Sequence, residues 1–342
     1  MAIVRRNMTI MKPYNELTER GRACRLRKLA LTALEQYDLD AARLSLITNN
    51  TNGIFRVDVN NGQKWILRVT QPEGGHTHAH VAAEMDWLAA ISRDTDLSVP
   101  HPLPARDGSL VVETGAAGVP QRRMCTIFSW VPGADLARRF TPANISLLGE
   151  LSARIHLHAQ TYQPPDGLCL LKFDRVFPFP EPVILFEGRF ATLIPPERWE
   201  TFQRAIDWVQ ASVDRLKASG EPMRLLHGDL HQWNVRYSRG RLSPIDFEDL
   251  MWGWPVQDIA TTLYYSADDD DYSDKRAAFE RGYRRVSPWP ERFPGEVDSF
   301  IAARGLGMAN FILNYPELIE NETPAFLERI EKRLKKLMKQ QK

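Results

Sequence analysis

The pattern of apolar and polar positions divides the chain into a β-rich first part and a mainly helical second part. Residues 15–38 carry apolar side chains at helical spacing and predict one amphipathic helix. Beyond it the period shortens, and Asn60-Asn61-Gly62 is a hairpin signal because Asn-Gly tolerates the positive φ of a tight turn. The other elements predicted for this part are strands at 43–48, 53–59, 64–70, 109–113 and 123–130 and a helix at 81–91.

The second part follows the turn signal Val131-Pro132-Gly133 and has helical periodicity almost throughout. The Pro-rich stretch 163–196 is predicted to be irregular, and Leu225–Ile245 holds two short apolar runs on either side of a polar loop. The predicted helices are 144–161, 197–219, 256–266, 274–286, 296–313 and 323–340. We therefore predict an α+β fold, with an antiparallel sheet lobe over residues 1–131 and a larger, mainly helical lobe over residues 132–342.

Composition and charge narrow the class of protein. The 342 residues are 43% hydrophobic and 25% charged, as in globular proteins, and a formal net charge of +1 does not suit a general polyanion binder. The sequence has no apolar run of the roughly 18 residues that a membrane span needs, and no secretory signal. The three cysteines, Cys24, Cys125 and Cys169, are far apart, which favours a reducing compartment. We expect a cytoplasmic protein without nucleic-acid or membrane partners.

Candidate chemistry is concentrated between residues 225 and 249. Asp229 is followed five residues later by Asn234, and Asp246 comes after a further short strand-turn-strand. Phosphoryl transfer needs a carboxylate that orients a hydroxyl and accepts its proton, and it needs oxygen ligands for Mg²⁺. Because Mg²⁺ takes only one or two protein ligands beside phosphates and water, Asn234 and Asp246 suit that role and Asp229 suits the base.

The same stretch resembles the aminoglycoside phosphotransferase family, which includes choline, homoserine and stress-response kinases and has a protein-kinase-like fold. The resemblance covers residues 45–315. It implies that Asp229 is the catalytic base, that Asn234 and Asp246 bind the metal, and that His227 and Asp258 support the catalytic loop. The residues that carry it are His227-Gly228-Asp229-Leu230-His231-x-x-Asn234, Ile245-Asp246-Phe247-Glu248 and Pro255-x-x-Asp258.

The resemblance also implies a nucleotide site in the first lobe. Arg68 stands where the family's phosphate-binding lysine is expected, and Glu84 is its expected acidic partner. A guanidinium is a planar fork and not a point charge, so the exchange matters at a phosphate. A phosphate-covering turn is expected at residues 50–55, which include Asn52 and Gly53. The adenine is expected at the linker Phe128, Ser129, Trp130 and Val131.

Six further residues are candidates for an acceptor pocket. Trp233 replaces part of a Pro-Gly pair that is common in the family, and Trp254 either lines the pocket or packs in the core. The acidic run 268–271 either attracts a cationic substrate or is a solvated loop. The candidates are His231, Trp233, Glu248, Trp254, Asp268 and Asp269.

The predicted function is a kinase that uses Mg-ATP, or GTP in place of ATP, to phosphorylate a hydroxyl of a small molecule. The acceptor, an aminoglycoside or a choline-like, amino-acid-like or sugar compound, stays open. A Ser/Thr protein kinase of the stress-response type is an alternative, although the Ala-Pro-Glu signature is missing. A further alternative is a catalytically silent nucleotide-binding regulator, which Arg68 leaves open although the intact Asp229, Asn234 and Asp246 speak against it. Another is a metal-dependent hydrolase built on His227, Asp229 and His231.

Overall fold

The computed structural model describes residues 12–49, 51–71, 76–165, 170–319 and 322–339. Asn50 of the predicted phosphate-covering turn and Cys169 lie outside these ranges. The chain forms two compact units. The first contains the described residues up to Ala89 together with Pro100–Trp130, and the second contains Ala90–Val99 and the described residues from Val131 onward.

The first unit is a five-stranded antiparallel sheet with a helix packed on it. The sheet order is β1-β2-β3-β5-β4, and β2 and β3 are joined by the predicted turn, in which Gly62 has φ +86°. The predicted antiparallel sheet is therefore confirmed. The elements are α1 (Glu19–Leu34), β1 (Ala41–Asn49), β2 (Asn52–Val59), β3 (Lys64–Thr70), α2 (His78–Asp94), β4 (Val112–Thr114) and β5 (Arg123–Ser129).

The core of this unit follows from the two periodicities. Helix α1 begins at the N-cap Thr18, whose side chain accepts from the Gly21 amide, and its apolar face is buried. Alternate residues of the central strands, such as Phe55 and Leu67, are fully buried and belong to the same cluster as the helix residues. The helix residues in the cluster are Leu26, Leu29, Ala30, Ala33 and Leu34.

The second unit is mainly helical, as predicted. Its helices are α3 (Pro142–Thr161), α4 (Pro196–Ala218), α5 (Pro255–Tyr264), α6 (Tyr272–Arg284), α7 (Glu296–Asn314) and α8 (Thr323–Lys339). Its strands are β6 (Ala134–Asp135), β7 (Arg224–Leu226), β8 (Val235–Ser238), β9 (Arg241–Pro244) and β10 (Met251–Gly253). They form one sheet of order β6-β8-β9 and a pair β7-β10. None of the helices in the described ranges has the length and apolar character that crossing a bilayer requires.

Helices α3 and α6 approach each other closely through two glycines. A Cβ on Gly149 would overlap the carbonyl oxygen of Phe279, and a Cβ on Gly282 would overlap that of Ser146. This contact brings His156 of α3 to Tyr283 of α6, where the His156 Nδ1 and the tyrosine hydroxyl are 2.9 Å apart. The packing of α3 on α6 therefore fixes a histidine that reaches the candidate site.

Candidate active site

The loop between β7 and β8 carries the candidate catalytic residues, and a buried carboxylate holds its first turn. Asp258, in the first turn of α5, accepts the main-chain N–H of His227 at 3.1 Å and of Gly228 at 3.0 Å. Its Oδ2 also lies 3.1 Å from His156 Nε2. Burial alone would raise the pKa of Asp258, but the hydrogen bond from His156 and the charge of His156 bring the pKa below its usual value. The first turn of the loop is therefore held by an ionised carboxylate whose two oxygens both accept hydrogen bonds.

The two residues before Asp229 are constrained by close contacts. Gly228 has φ +82°, and a Cβ there would overlap the carbonyl oxygen of Asp249. His227 is fully buried, and burial lowers its pKa against the opposing charges of Asp258 and Asp229. Its Nδ1 accepts the Asp229 N–H at 3.3 Å. The neutral ring then carries its proton on Nε2, 3.1 Å from the Ile245 carbonyl oxygen.

The Asp229 carboxylate is held on both of its oxygens. Oδ2 lies 3.1 Å from Asn234 Nδ2 and 3.2 Å from His231 Nε2. Oδ1 forms an ion pair with the Arg304 guanidinium and a longer contact, 3.5 Å, with the Tyr265 hydroxyl. Burial alone would raise the pKa of Asp229, but Arg304 and His231 lower it below its usual value. The side chain is thus a fixed carboxylate.

Asn234 and Asp246 carry the kinds of oxygen group that Mg²⁺ takes as ligands. The Asn234 Nδ2 also donates to the Asp229 main-chain carbonyl at 3.0 Å, so the oxygen of the same amide is the atom left to accept from elsewhere. The Asn234 carbonyl accepts the Ile245 N–H at 2.9 Å, which brings Asp246 beside the loop. Asp246 is exposed and has φ +65°, a strained conformation for aspartate that is enriched at functional sites. An amide oxygen and a carboxylate fit Mg²⁺.

The metal-dependent hydrolase alternative would need a metal site with three or more protein ligands. Among the described ranges no group of three or more His, Cys, Asp and Glu side chains is placed to hold a metal ion. His231 accepts the Trp233 N–H on Nδ1 at 3.2 Å, so its Nε2 carries the proton directed at Asp229. The ring nitrogens of His227 and His231 therefore bond to main-chain atoms and to Asp229.

Aromatic and acidic side chains surround Asp229 on the side of α5. The rings of His231, Trp233 and Tyr265 pack edge to face, with centroid separations of 4.4 Å for His231–Tyr265 and 5.5 Å for the other two pairs. Trp233 is 50% exposed, so a large part of its side chain is accessible. Asp249 adds a carboxyl whose pKa is raised to about 7, first by burial and then by the charge of Asp229.

The remaining candidates for the acceptor pocket have partners of their own. Trp254 is buried and donates from Nε1 to the Glu221 carbonyl at 2.9 Å. Asp268 pairs with Arg333 of α8, and Asp269 pairs with Lys275 at 2.6 Å. Glu248 raises the pKa of Asp249 and is therefore close to it. The structure brings His231, Trp233 and Glu248 to the neighbourhood of Asp229 and engages the other three elsewhere in the second unit.

Sequence reasoning did not identify Arg304, Tyr265 or Asp249. Arg304 lies 75 residues from Asp229, in the middle of α7. Its one sequence signal is that it is the only charged residue of α7 beyond the first turn. Asp249 directly follows the motif residue Glu248, and Tyr265 follows the last residue of α5.

The predicted nucleotide residues of the first unit form a second, separate set. Arg68 of β3 and Glu84 of α2 make a bidentate ion pair, with Nη1 to Oε1 at 2.9 Å, and both side chains are buried. The Arg68 guanidinium lies 5.2 Å from the centroid of the Phe128 ring. Asn52 accepts the Gln71 N–H at 3.3 Å, and a Cβ on Gly53 would meet neighbours only at ordinary contact distances, 3.5 Å or more.

The linker amides are partly used by the chain itself. The Ser129 N–H donates to the His101 carbonyl at 2.9 Å, and the Trp130 N–H donates to the Lys64 carbonyl at 3.1 Å. Val131 is the next main-chain donor along this segment. In the linker expected to hold adenine, the Ser129 amide is therefore engaged by the main chain at His101.

Comparison with known proteins gives one family. A family model described as the phosphotransferase enzyme family matches residues 45–289. Amicoumacin kinase of Bacillus subtilis is 24% identical over 233 residues, which cover 68% of this chain and 66% of that protein. In a second curated relative the match covers 60% of the length, so this chain spans less than two thirds of either protein.

Solved structures share the fold. The microcompartment-associated aminopropanol kinase superposes with a TM-score of 0.72 at 24% identity, over 89% of this chain and 94% of that one. An amicoumacin kinase, hAmiN, solved in complex with AMP-PNP, Ca²⁺ and Ami, gives a TM-score of 0.74 at 18% identity, over 93% and 96% of the two chains. These matches confirm the predicted kinase-like fold.

Proposed function

The chain belongs to the phosphotransferase enzyme family, and from this membership we propose that it transfers the γ-phosphoryl group of ATP to a hydroxyl of a small molecule that carries an amine. One observation carries the proposal: the Asp229 carboxylate is fixed through both oxygens on a loop that also supplies Asn234, with Asp246 beside it. Phosphoryl transfer needs this combination of a base and oxygen ligands.

Asn234 and Asp246 would hold Mg²⁺ through the amide oxygen and the carboxylate. When bound with ATP, the metal would neutralise the charge of the β- and γ-phosphates. The related amicoumacin kinase structure was solved with Ca²⁺, a cation that likewise takes oxygen ligands in proteins. The protein side chains keep Asn234 Nδ2 on Asp229, which leaves the oxygen end of the amide for this role.

Asp229 would orient the acceptor hydroxyl and accept its proton. The hydroxyl oxygen bonds to the γ-phosphorus, the bond from that phosphorus to the bridging oxygen of ADP breaks, and the proton passes through Asp229 to solvent. A lowered pKa makes Asp229 a weak base in the free protein, so its main contribution is orientation. His227 and Asp258 support this by fixing the loop.

The nucleotide half of the proposal uses the first unit. Arg68, held by Glu84, would bind the α- and β-phosphates, and its fork geometry suits phosphate oxygens. Asn52 and Gly53 of the predicted phosphate-covering turn would lie beside the phosphates, where the backbone at a glycine allows close approach. Phe128 and Trp130 would contact the adenine, with the Val131 amide as donor in place of the engaged Ser129 amide.

The acceptor is proposed to carry an amine because of the charge and aromatic content around Asp229. Asp229, Glu248 and Glu181 all raise the pKa of Asp249, so Asp249 is in a region of negative charge that Arg304 opposes. The exposed part of Trp233 offers cation–π contact to an ammonium group. Two relatives are named for amicoumacin and aminopropanol, and aminopropanol is itself an amino alcohol.

The test is a coupled ADP-release assay with Mg-ATP over matched pairs of hydroxyl compounds. Each pair consists of an amino alcohol and its analogue without the amine, for example 1-aminopropan-2-ol and propane-1,2-diol. We expect ADP release with amino alcohols and at least tenfold lower kcat/KM with their partners, since a buried charge contact is worth more than about 1.4 kcal/mol.

Asp229→Ala is the loss-of-function variant and should lower kcat by about 10²–10⁴. Its control is Asp298→Ala, because Asp298 is a comparably buried carboxylate of the same unit, paired with Arg276 at 2.6 Å. Binding of Mg-AMP-PNP without ADP release for any alcohol would point to a silent regulator. An Asp229→Ala variant that keeps wild-type turnover would remove Asp229 from its proposed role.

A further inference from the structure

Within the described ranges, Arg304 is the side chain that reaches Asp229 from α7, and it lies outside the sequence motif. Its Nη2 pairs with Asp229 Oδ1 and donates to the Tyr265 hydroxyl at 2.8 Å. The Tyr265 oxygen is itself 3.5 Å from the same Asp229 oxygen. Guanidinium, phenol and carboxylate therefore form a closed triangle on the side of Asp229 opposite to Asn234.

The two sides of the Asp229 carboxylate are anchored by different parts of the fold. Oδ2 is held from within the loop, by Asn234 and His231. Oδ1 is held only from outside it among the described contacts, by Arg304 of α7 and by Tyr265 at the end of α5. A carboxylate held through one oxygen retains rotation about χ2, whereas contacts on both oxygens fix its plane.

Arg304 also offsets the negative charge around Asp229. Asp249 lies beside Asp229 and Glu248, and Arg304 is the cation that opposes their mutual repulsion. Burial disfavours the charged guanidinium, yet Asp229, Tyr265 and Asp249 together raise the pKa of Arg304, so it is a permanent cation. Asp229 would otherwise be drawn to solvent, away from its like-charged neighbours.

We propose that Arg304, together with Tyr265, is a positioning residue that fixes the plane of the Asp229 carboxylate for attack by the acceptor hydroxyl. This inference rests on the proposed kinase function. It assigns Arg304 an effect on the transfer step and none on nucleotide binding, which uses other residues. Misplacement of a reacting group by about 1 Å can lower a rate about 10²-fold.

The chain contains a matched control for a purely structural ion pair. Arg333 of α8 pairs with Asp268, with Nε to Oδ1 at 3.0 Å, and its guanidinium lies 4.1 Å from the centroid of the Tyr264 ring. Its side chain is 12% exposed, against 15% for Arg304. Each of the two arginines also keeps one buried nitrogen without a hydrogen-bond partner in the part of the chain that the structure describes.

The experiment compares Arg304→Ala, Arg304→Lys and Arg333→Ala with the wild type. kcat and KM are measured with Mg-ATP and the amino alcohols of the screen, beginning with 1-aminopropan-2-ol, and Mg-AMP-PNP affinity is measured by calorimetry. We expect Arg304→Ala to lower kcat about 10²-fold with AMP-PNP affinity within about twofold of wild type. Added guanidinium chloride at about 10–50 mM should restore kcat about tenfold, because it can enter the space left by the side chain. Arg333→Ala should neither lose kcat nor gain from guanidinium.

Three outcomes overturn the inference. The first is a wild-type kcat in Arg304→Ala. The second is a loss of kcat that guanidinium does not restore and that is accompanied by an equal loss of AMP-PNP affinity. Should Arg304→Ala fail to fold, Arg304→Lys keeps the charge without the fork, and a wild-type kcat for it would show that geometry at Asp229 does not matter. A wild type that releases no ADP with any acceptor is distinguishable from these, since it removes the kinase function and the inference together.

Discussion

The side-chain amide of Asn234 donates to both the main-chain carbonyl of Asp229, at 3.0 Å, and the carboxylate of the same residue, at 3.1 Å. One amide group therefore links the proposed base to a proposed metal ligand. Its nitrogen fixes the Asp229 backbone and side chain, and its orientation determines that the oxygen is the end available to a cation. The identity of residue 234 as asparagine, and not aspartate, follows from this double role.

Asn234→Asp is expected to lower kcat by about 10²–10³ while keeping an oxygen for the metal. The new carboxylate cannot donate to Asp229, and its charge repels that of Asp229 across about 3 Å. The measurement is ADP release at saturating ATP over a titration of Mg²⁺. Asn234→Ala, which removes donor and oxygen alike, should in addition raise the Mg²⁺ concentration for half-maximal rate. Recovery of Asn234→Asp to wild-type kcat at high Mg²⁺ would contradict the positioning role of the amide.

Gly228→Ala is expected to disrupt the catalytic loop, and to do so far more than alanine at a glycine that has the same backbone conformation but open space around it. Gly228 has φ +82°, and an added Cβ would overlap the Asp249 carbonyl oxygen, so the loop or the 246–250 segment must shift. Gly240→Ala is the control, because Gly240 has φ +80° and a methyl group added there would meet no described atom within 4 Å. Gly240→Ala should cost about 1 kcal/mol from backbone strain alone.

The free energies of unfolding in urea of both variants, together with their ADP release, check this expectation. Gly228→Ala should lose at least about 3 kcal/mol or most of its activity, since overpacking against backbone adds to the strain. Equal stability and activity in the two alanine variants would mean that contact with Asp249 does not constrain the loop.

The parts of the site that are local in sequence were accessible before the structure was known. Asp229 and Asn234 are five residues apart, and their hydrogen bonds lie within one loop, so the spacing itself encodes the geometry. The antiparallel sheet was predictable because its strands alternate and one hairpin has a clear turn signal. Strands β6 and β10, with two and three residues, are too short for any period to show and were not predicted.

Contacts over long sequence separation were not accessible in this way. Arg304 reaches Asp229 only because α7 packs against α5, and periodicity identifies each helix without saying which faces meet. The acidic run 268–271 illustrates the same limit, because Asp268 is paired with Arg333 from α8, 65 residues later. A run of acids in a sequence does not reveal the cations that the fold brings to it.

Asp249 provides a pH dependence of stability whose sign is fixed by its environment. Burial, followed by the charge of Asp229, raises its pKa from 3.8 to about 7 in the folded protein. The unfolded chain therefore ionises first as the pH rises, and the folded state loses stability progressively between about pH 4 and pH 7 and no further above it. Replacing Asp249 by a residue that does not ionise should remove this loss of stability.

We expect Asp249→Asn to stabilise the protein by about 1–2 kcal/mol more at pH 8 than at pH 5, a value reduced because the side chain is only partly shielded from water. Urea unfolding of both proteins at the two pH values, without metal and nucleotide, measures this difference. An equal effect of the substitution at pH 5 and pH 8 would show that Asp249 has an ordinary pKa in the folded state.

Trp233→Ala is expected to weaken acceptor binding without affecting the fold or the nucleotide. The indole is 50% exposed and touches His231 and Tyr265 edge-on, so little core packing is lost. Loss of a cation–π contact of about 0.5–2 kcal/mol should raise KM for an amino alcohol about 2- to 30-fold, with KM for ATP unchanged. Trp199→Ala is the control, because Trp199 is 43% exposed and also packs edge-on, against Phe186 at 5.5 Å. The pair 1-aminopropan-2-ol and propane-1,2-diol gives the most direct comparison. The effect of Trp233→Ala on KM should disappear for the diol, since a hydroxyl offers no charge to the ring. An equal rise in KM for both compounds would instead show that Trp233 contacts the acceptor sterically and does not bind a cation.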